Sequence, residues 1–193
     1  MTHRISLAAA GALLASATTL AEAHDIARAA GAAAGAAANI YMHELGHAAV
    51  FQLQGAKQIS IQVPGEQCRL ICGSTHATFD RALSAGERRW GSTAGLLASN
   101  LASEVLLQHQ SLARSGFGQG FVAMNHASNL WHVYSYYTRY VGVDGYRGND
   151  IDQFEAAGGN PHLLSAALMG YSLYAVKRMR DRQIPLLFVK LRF

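Results

Sequence analysis

The chain has 193 residues, enough for one domain with a real core and cramped for two. Half of its residues are hydrophobic and only 15% are charged, against about 25% in an average globular domain, a balance that leans toward membrane. The net charge of +4 does not point to nucleic acid, because the basic residues gather near the C-terminus and no basic and aromatic interleaving appears.

Met1 to Arg4 carries positive charge, and Ile5 to Ala21 is an apolar run ending in Ala21-Glu22-Ala23. This is the form of a cleaved secretory signal peptide, with a first membrane helix as the rival. Residues 1–23 are therefore set apart from a single domain over 24–193. Ile26 to Leu53 reads as one long Ala- and Gly-rich helix in which Arg28 is the one charge before Glu44. Gly31 and Gly35 form a G-x-x-x-G pair, which either lets another helix approach closely or is merely tolerated.

Within that helix lies His43-Glu44-Leu45-Gly46-His47. Residues at i and i+4 share a helix face, so both imidazoles can reach one ion. Glu44 then stands beside the metal without binding it, placed to take a proton from water. This is the H-E-x-x-H arrangement of zinc hydrolases, where the metal brings the pKa of bound water to about 7. No proline interrupts the segment, and Ala, Leu, Val and Phe surround it, so the helix it needs is well supported.

Gly55 ends the helix, and Gln58 to Val63 alternates polar and apolar. With a Pro64-Gly65 turn and looser alternation from Arg69 to Phe79, this is a β-hairpin, whose edge either binds an extended peptide or is simply solvated. Cys68 and Cys72 are too few for a disulfide framework; they could bridge in an oxidising compartment, but read first as two buried thiols.

Ser84 to Glu87 has the capping-box form and opens a helix over Trp90 to Gln108 that contains Glu104. Phe117 to Tyr140 is an apolar and aromatic stretch with Asn125, His126, Asn129 and His132 at helical spacing, a polar face with candidate oxyanion donors. After a loop at Asp144 to Asn149, Asp150 to Ala157 starts a short helix that Asn149 can cap. His162 to Val176 is the last apolar helix, and the basic cluster Lys177, Arg178, Arg180 and Arg182 follows it, the pattern of a cytoplasmic membrane flank.

A catalytic zinc takes three protein ligands and keeps one position open. Glu104, Asp150 and Asp152 are candidates for the third, with Asp80 and Asp144 less well placed. Glu104 stands in an apolar helix, where an unpaired carboxylate is expensive. Asp150 and Asp152 stand at a loop-to-helix junction able to fold over a metal.

The zinc motif with Ala48-Ala49-Val50, followed by Gln54-Gly55-Ala56-Lys57 and a strand, resembles the site-2 protease type of intramembrane zinc metallopeptidase. Gly73-Ser74-Thr75 and Ala94-Gly95 extend the likeness, which covers about residues 38 to 155 and is sharpest at the zinc motif. It implies a mainly α, polytopic helical membrane bundle with a small β-hairpin inserted after the motif helix. It also implies a third ligand in an Asn/Asp/Gly-rich stretch, matched by Asn149-Asp150, which places Asp150 ahead of Asp152 and Glu104. The chain lacks that family's Asp-Gly ligand motif after a proline-bearing loop. The expected protein is a zinc endopeptidase of membrane-associated or transmembrane polypeptides, residing in the membrane. Its metal ligands are His43, His47 and Asp150, its catalytic base is Glu44, its cofactor is Zn2+, and its partners are a polypeptide and the lipid bilayer, with no nucleic acid. A secreted or periplasmic zinc peptidase and a non-catalytic metal-binding membrane protein are the alternatives, and cobalt or iron would suit the same ligands.

Overall fold

The computed structural model describes residues 7–63, 72–139 and 149–185, with side chains described from residue 25 onward. Cys68, the Pro64-Gly65 turn, the Asp144 loop, Lys190 and Arg192 lie outside the described residues. Helix α1 (Leu7–Leu53) leads into strands β1 (Gln58–Gln62) and β2 (Ser74–Thr78), and helices α2 (Ala85–Gln108), α3 (Gln110–Arg114), α4 (Gly116–Thr138), α5 (Asp150–Ala156) and α6 (Pro161–Asp181) follow. The strands pair antiparallel, Gln58 opposite Thr78 through Gln62 opposite Ser74, as the alternating pattern required. Ser84 caps α2 and closes a capping box with Glu87, Asn149 caps α5 through the amides of Ile151 and Asp152, and Asn160 caps α6.

The expected membrane bundle is not what forms. The chain is mainly helical with one two-stranded sheet, and no helix among the described residues is long and apolar enough to cross a membrane. The reason lies in what makes each helix apolar. Helix α1 is largely Ala and Gly, α2 carries Glu87, Arg88, Arg89 and Glu104, and α4 and α6 intersperse Gly, Ser, Asn and His among their large residues. Such residues raise the hydrophobic count without the sustained Leu-, Ile- and Phe-rich run that a span needs.

A second expectation also changes. Cys72 is disulfide-bonded, and no cysteine among the described residues is a thiol.

Small residues set the spacing of the helices. Helices α1 and α4 run side by side so closely that a Cβ added to Gly35 would strike the carbonyl of Phe117 and stand 2.9 Å from the Phe121 nitrogen. Gly116 and Gly120 meet the carbonyls of Arg28 and Ala32 in the same way. The G-x-x-x-G pair is thus a contact surface, used twice along one seam. Gly35→Val is expected to destabilise by roughly 3 kcal/mol through overpacking, a fall in Tm of about 6–12 °C for a chain of this size. A thermal melt unchanged within a degree would contradict the close seam.

Two apolar clusters complete the packing. Leu107, Ala113, Val122, Ala175, Met179 and Ile184 fill one end, and Leu96, Tyr136, Ile151 and Leu168 the other. Between them the interior is polar. Asn100 receives hydrogen bonds from Asn125 (2.8 Å) and Asn129 (2.9 Å), and Ser172 receives one from Asn129 (3.2 Å).

Candidate metal centre

Helix α1 presents His43, Glu44 and His47 to the interior, all under 9% exposed. Gly46, between them, is the point where α2 touches α1: a Cβ there would stand 2.5 Å from the Ala94 carbonyl. The next residue along α2, Gly95, faces the imidazoles themselves. A Cβ on it would stand 2.6 Å from His43 Nε2 and closer still to His47 Nε2, so the missing side chain leaves the room the rings occupy. The Nδ1–H of His47 donates to the Gly91 carbonyl at 2.7 Å, which turns its Nε2 toward the centre.

Asp150 arrives from far along the chain. Its neighbour Ile151, fully buried, is held in the apolar cluster of Leu96, Tyr136 and Leu168. The Asn149 amide donates to Ser135 Oγ (2.7 Å) and to the His132 carbonyl (3.3 Å), tying the start of α5 to α4. The Asp150 carboxylate thereby lies 3.0 Å from His43 Nε2, 3.4 Å from His47 Nε2 and 3.8 Å from His132 Nε2. The two motif nitrogens are 3.1 Å apart, and the His132 ring stacks on that of His43 with centroids 5.5 Å apart.

These separations fit a metal. Ligand atoms arranged tetrahedrally around zinc, with bonds of about 2.0–2.1 Å, stand about 3.3 Å from one another. The 3.1 Å between the two motif nitrogens and the 3.0 Å from His43 Nε2 to Asp150 Oδ2 lie near that figure, while the 3.4 Å from His47 Nε2 is to the other oxygen, Oδ1. The cluster of His43, His132 and Asp150, with ligand atoms within 4.8 Å of one another, could hold a metal ion. One Asp150 oxygen and the Nδ1 atoms of His43 and His132 are buried with no hydrogen-bond partner.

The electrostatics agree with an anion held among imidazoles. Burial favours the neutral form of Asp150, but the charges of His47, His43 and His132 outweigh it and hold the carboxyl well below its usual range. Burial likewise opposes charge on His47, yet Asp150, the Gly91 carbonyl and Glu44 together raise it to about 9. His132 is pushed down to about 4, first by burial, with Asp150 opposing and the other two imidazoles assisting.

The other candidates find other partners. Arg178 donates to both oxygens of Glu104 at 2.6 Å, so an arginine, not a metal, answers the burial of that carboxylate and holds its pKa below the usual range. Asp152 stands 3.9 Å from Arg139, and Asp80 is paired with Lys57 at 3.1 Å on the surface. Of the polar face of α4, only His132 reaches the cluster. Asn125 and Asn129 bond to Asn100, and His126 lies 3.2 Å from Ser172 with its pKa lowered to about 4 by burial.

Glu44 is engaged by the hairpin. Thr75 Oγ1 donates to its Oε2 at 2.7 Å and to its backbone carbonyl at 3.1 Å. Gly73 lies so near that a Cβ on it would stand 2.7 Å from Glu44 Oε1. Sequence reasoning overlooked His132 as a candidate ligand and Thr75 as a partner of Glu44. The i, i+3 spacing of Asn129 and His132 marks their shared face, but nothing local says that α4 lies along α1 at His43.

No protein-family model, curated protein or solved structure matches this chain.

Proposed function

We propose that this chain is a metal-dependent hydrolase, and specifically a zinc endopeptidase. The observation that carries the reading is the convergence of His43 from α1, His132 from α4 and Asp150 from α5, with ligand atoms within 4.8 Å of one another, and with His47 Nε2 3.1 Å from His43 Nε2 and Glu44 buried beside them. Bound zinc would supply an acidified water and polarise a substrate carbonyl. The protein's own part follows from its residues. Gly91 orients His47, Asn149 holds Asp150 against the imidazoles, and Thr75 fixes one oxygen of Glu44. Glu44 takes a proton from the attacking water as its oxygen adds to the carbonyl carbon. When the C–N bond breaks, the electron pair stays on nitrogen, which receives that proton back from Glu44. Strand β2 pairs with β1 alone among the described residues, and its Thr75 bonds to Glu44. An extended peptide added along that strand would run past the base, which supports a polypeptide substrate.

The disulfide at Cys72 favours the secreted or periplasmic form of this reading, since such bonds persist outside reducing compartments. One observation favours a non-catalytic metal-binding protein. His132 makes a fourth buried donor, and closed four-ligand sites are the habit of structural zinc.

The test is metal content and cleavage of unstructured peptides by the purified chain, before and after chelation. About one zinc per chain, with activity lost to the chelator and restored by zinc, supports the peptidase. Metal without cleavage supports the structural alternative, and no metal ends both.

Because His47 is raised to about 9 when no metal is bound, zinc uptake at neutral pH must displace its proton. Apparent affinity is therefore expected to rise by about tenfold per pH unit from pH 7 toward 9, with at least about one proton released per metal. Calorimetry in buffers of different ionisation enthalpy reads that proton directly, and pH-independent binding would contradict it.

A further inference from the structure

His43, Glu44, His47 and Asp150 are all buried, so a peptide carbonyl reaches the centre only if one wall withdraws. Helix α2 meets α1 at backbone contact beside Gly46, α4 meets it along the Gly35 seam, and α5 is anchored by the fully buried Ile151. The wall that differs is the hairpin, whose Gly73 and Thr75 lie against the Glu44 carboxylate. No residue of either strand is buried, and none belongs to the two apolar clusters. The hairpin is fixed at its base instead. Arg81 pairs with Glu87 and donates to the Gln54 carbonyl (3.2 Å), and the Gln54 side chain donates to the Glu87 carbonyl (2.8 Å). The ring of Phe79 meets that of Phe51 with centroids 5.9 Å apart. Gly55, at a φ of +85° with open space where a Cβ would stand, joins α1 to this base. Thr75 stands toward the other end of the strands, opposite Ile61, and its hydroxyl holds them to α1.

We propose that the hairpin is a lid over the metal centre, hinged at Gly55 and latched by the Thr75 hydroxyl on Glu44. An element with few buried apolar contacts opens locally while its neighbours stay folded. Opening this one gives up the Thr75 hydrogen bonds and no contact of either apolar cluster, and it leaves the ligands on α1, α4 and α5 where they stand. The proposal rests on the peptidase reading for its substrate: the strand that withdraws from Glu44 is the one whose free edge would carry an extended peptide. Closure then returns Thr75 to Glu44 with the peptide alongside the base.

The experiment compares wild type, Thr75→Val and Thr75→Ser by amide hydrogen exchange and, after loading with zinc alone, by the rate at which a chromophoric chelator removes the metal. Cleavage of an unstructured peptide is recorded in parallel. In wild type the amides of 58–62 and 74–78 are expected to exchange together, ahead of those of α1 and α2 around the site. Valine keeps the volume of threonine and removes the latch, so hairpin exchange and zinc removal should both accelerate by about 10–100-fold, the weight of a hydrogen bond to a charged group. Helix exchange and zinc content stay at wild-type values, and serine, which keeps the hydroxyl, returns both rates toward wild type. Hairpin amides that exchange only together with the helices, or rates that valine does not move, would overturn the lid. If valine loosens the helices as well, the order of exchange in wild type decides. Opening as expected with no cleavage by any form leaves the lid standing and removes the peptidase reading. If wild type takes up no zinc, the metal centre falls, and hairpin exchange alone decides the lid over Glu44.

Discussion

Replacement of Glu44 by Gln is expected to leave the metal in place and reduce hydrolysis by about 10³-fold, within the range a positioned general base contributes. The substitution keeps shape and volume, so the close approach of Gly73 is preserved, and the amide can still accept from Thr75 through its oxygen. What it removes is the capacity to take a proton from water. His43, His47 and Asp150 are untouched, so zinc content should equal that of wild type. This separates the two readings of the site. In a structural metal site Glu44 has nothing to do with turnover, and the variant would differ from wild type only in stability. Retained activity in Glu44→Gln would sink the peptidase proposal outright, whatever the metal content.

Asp150→Ala carries the second large effect, a loss of metal greater than the 10–100-fold that outer-shell changes produce. Among the described residues, the carboxylate is the one anion paired within 4 Å with His43, His47 and His132. Without it the buried imidazoles lose the charge that raises His47 to about 9, and a bound cation would lose its anionic ligand. Removing one member of a buried ionic cluster typically costs about 3–5 kcal/mol, so Tm of the metal-free protein should fall as well. Glu104→Gln is the matched control. It breaks the pair with Arg178 and lowers stability, yet should leave zinc binding at the wild-type level. Metal retained by Asp150→Ala and lost by Glu104→Gln would reverse the assignment.

Local chemistry made much of this protein legible in advance. The capping box at Ser84, the Asn149 cap, the alternation in Gln58 to Gln62 and the i, i+4 imidazoles are short-range patterns, each set by backbone geometry within a few residues. That is why the helices, the hairpin and the His43, Glu44 and His47 face could be read from the chain. The membrane bundle was misjudged because a count of apolar residues does not separate Ala and Gly, which here bring helices together, from the long side chains that would face lipid. For Cys72 the bridged alternative holds rather than the free thiol read first, because residue type does not disclose a bond between sulfurs.

What tertiary structure alone decided is which distant groups meet. Asp150 prevails over Glu104 because Arg178, 74 residues beyond Glu104, supplies the compensating charge there. Among the described residues, the ion-pair partners of Asp150 are imidazoles. His132 joins the cluster because glycines at 35, 116 and 120 let α4 lie against α1 at backbone contact. Residue types establish what each side chain is able to do. Which charge answers which is settled by packing, since the cost of burying a carboxylate depends on partners that the order of the chain does not reveal.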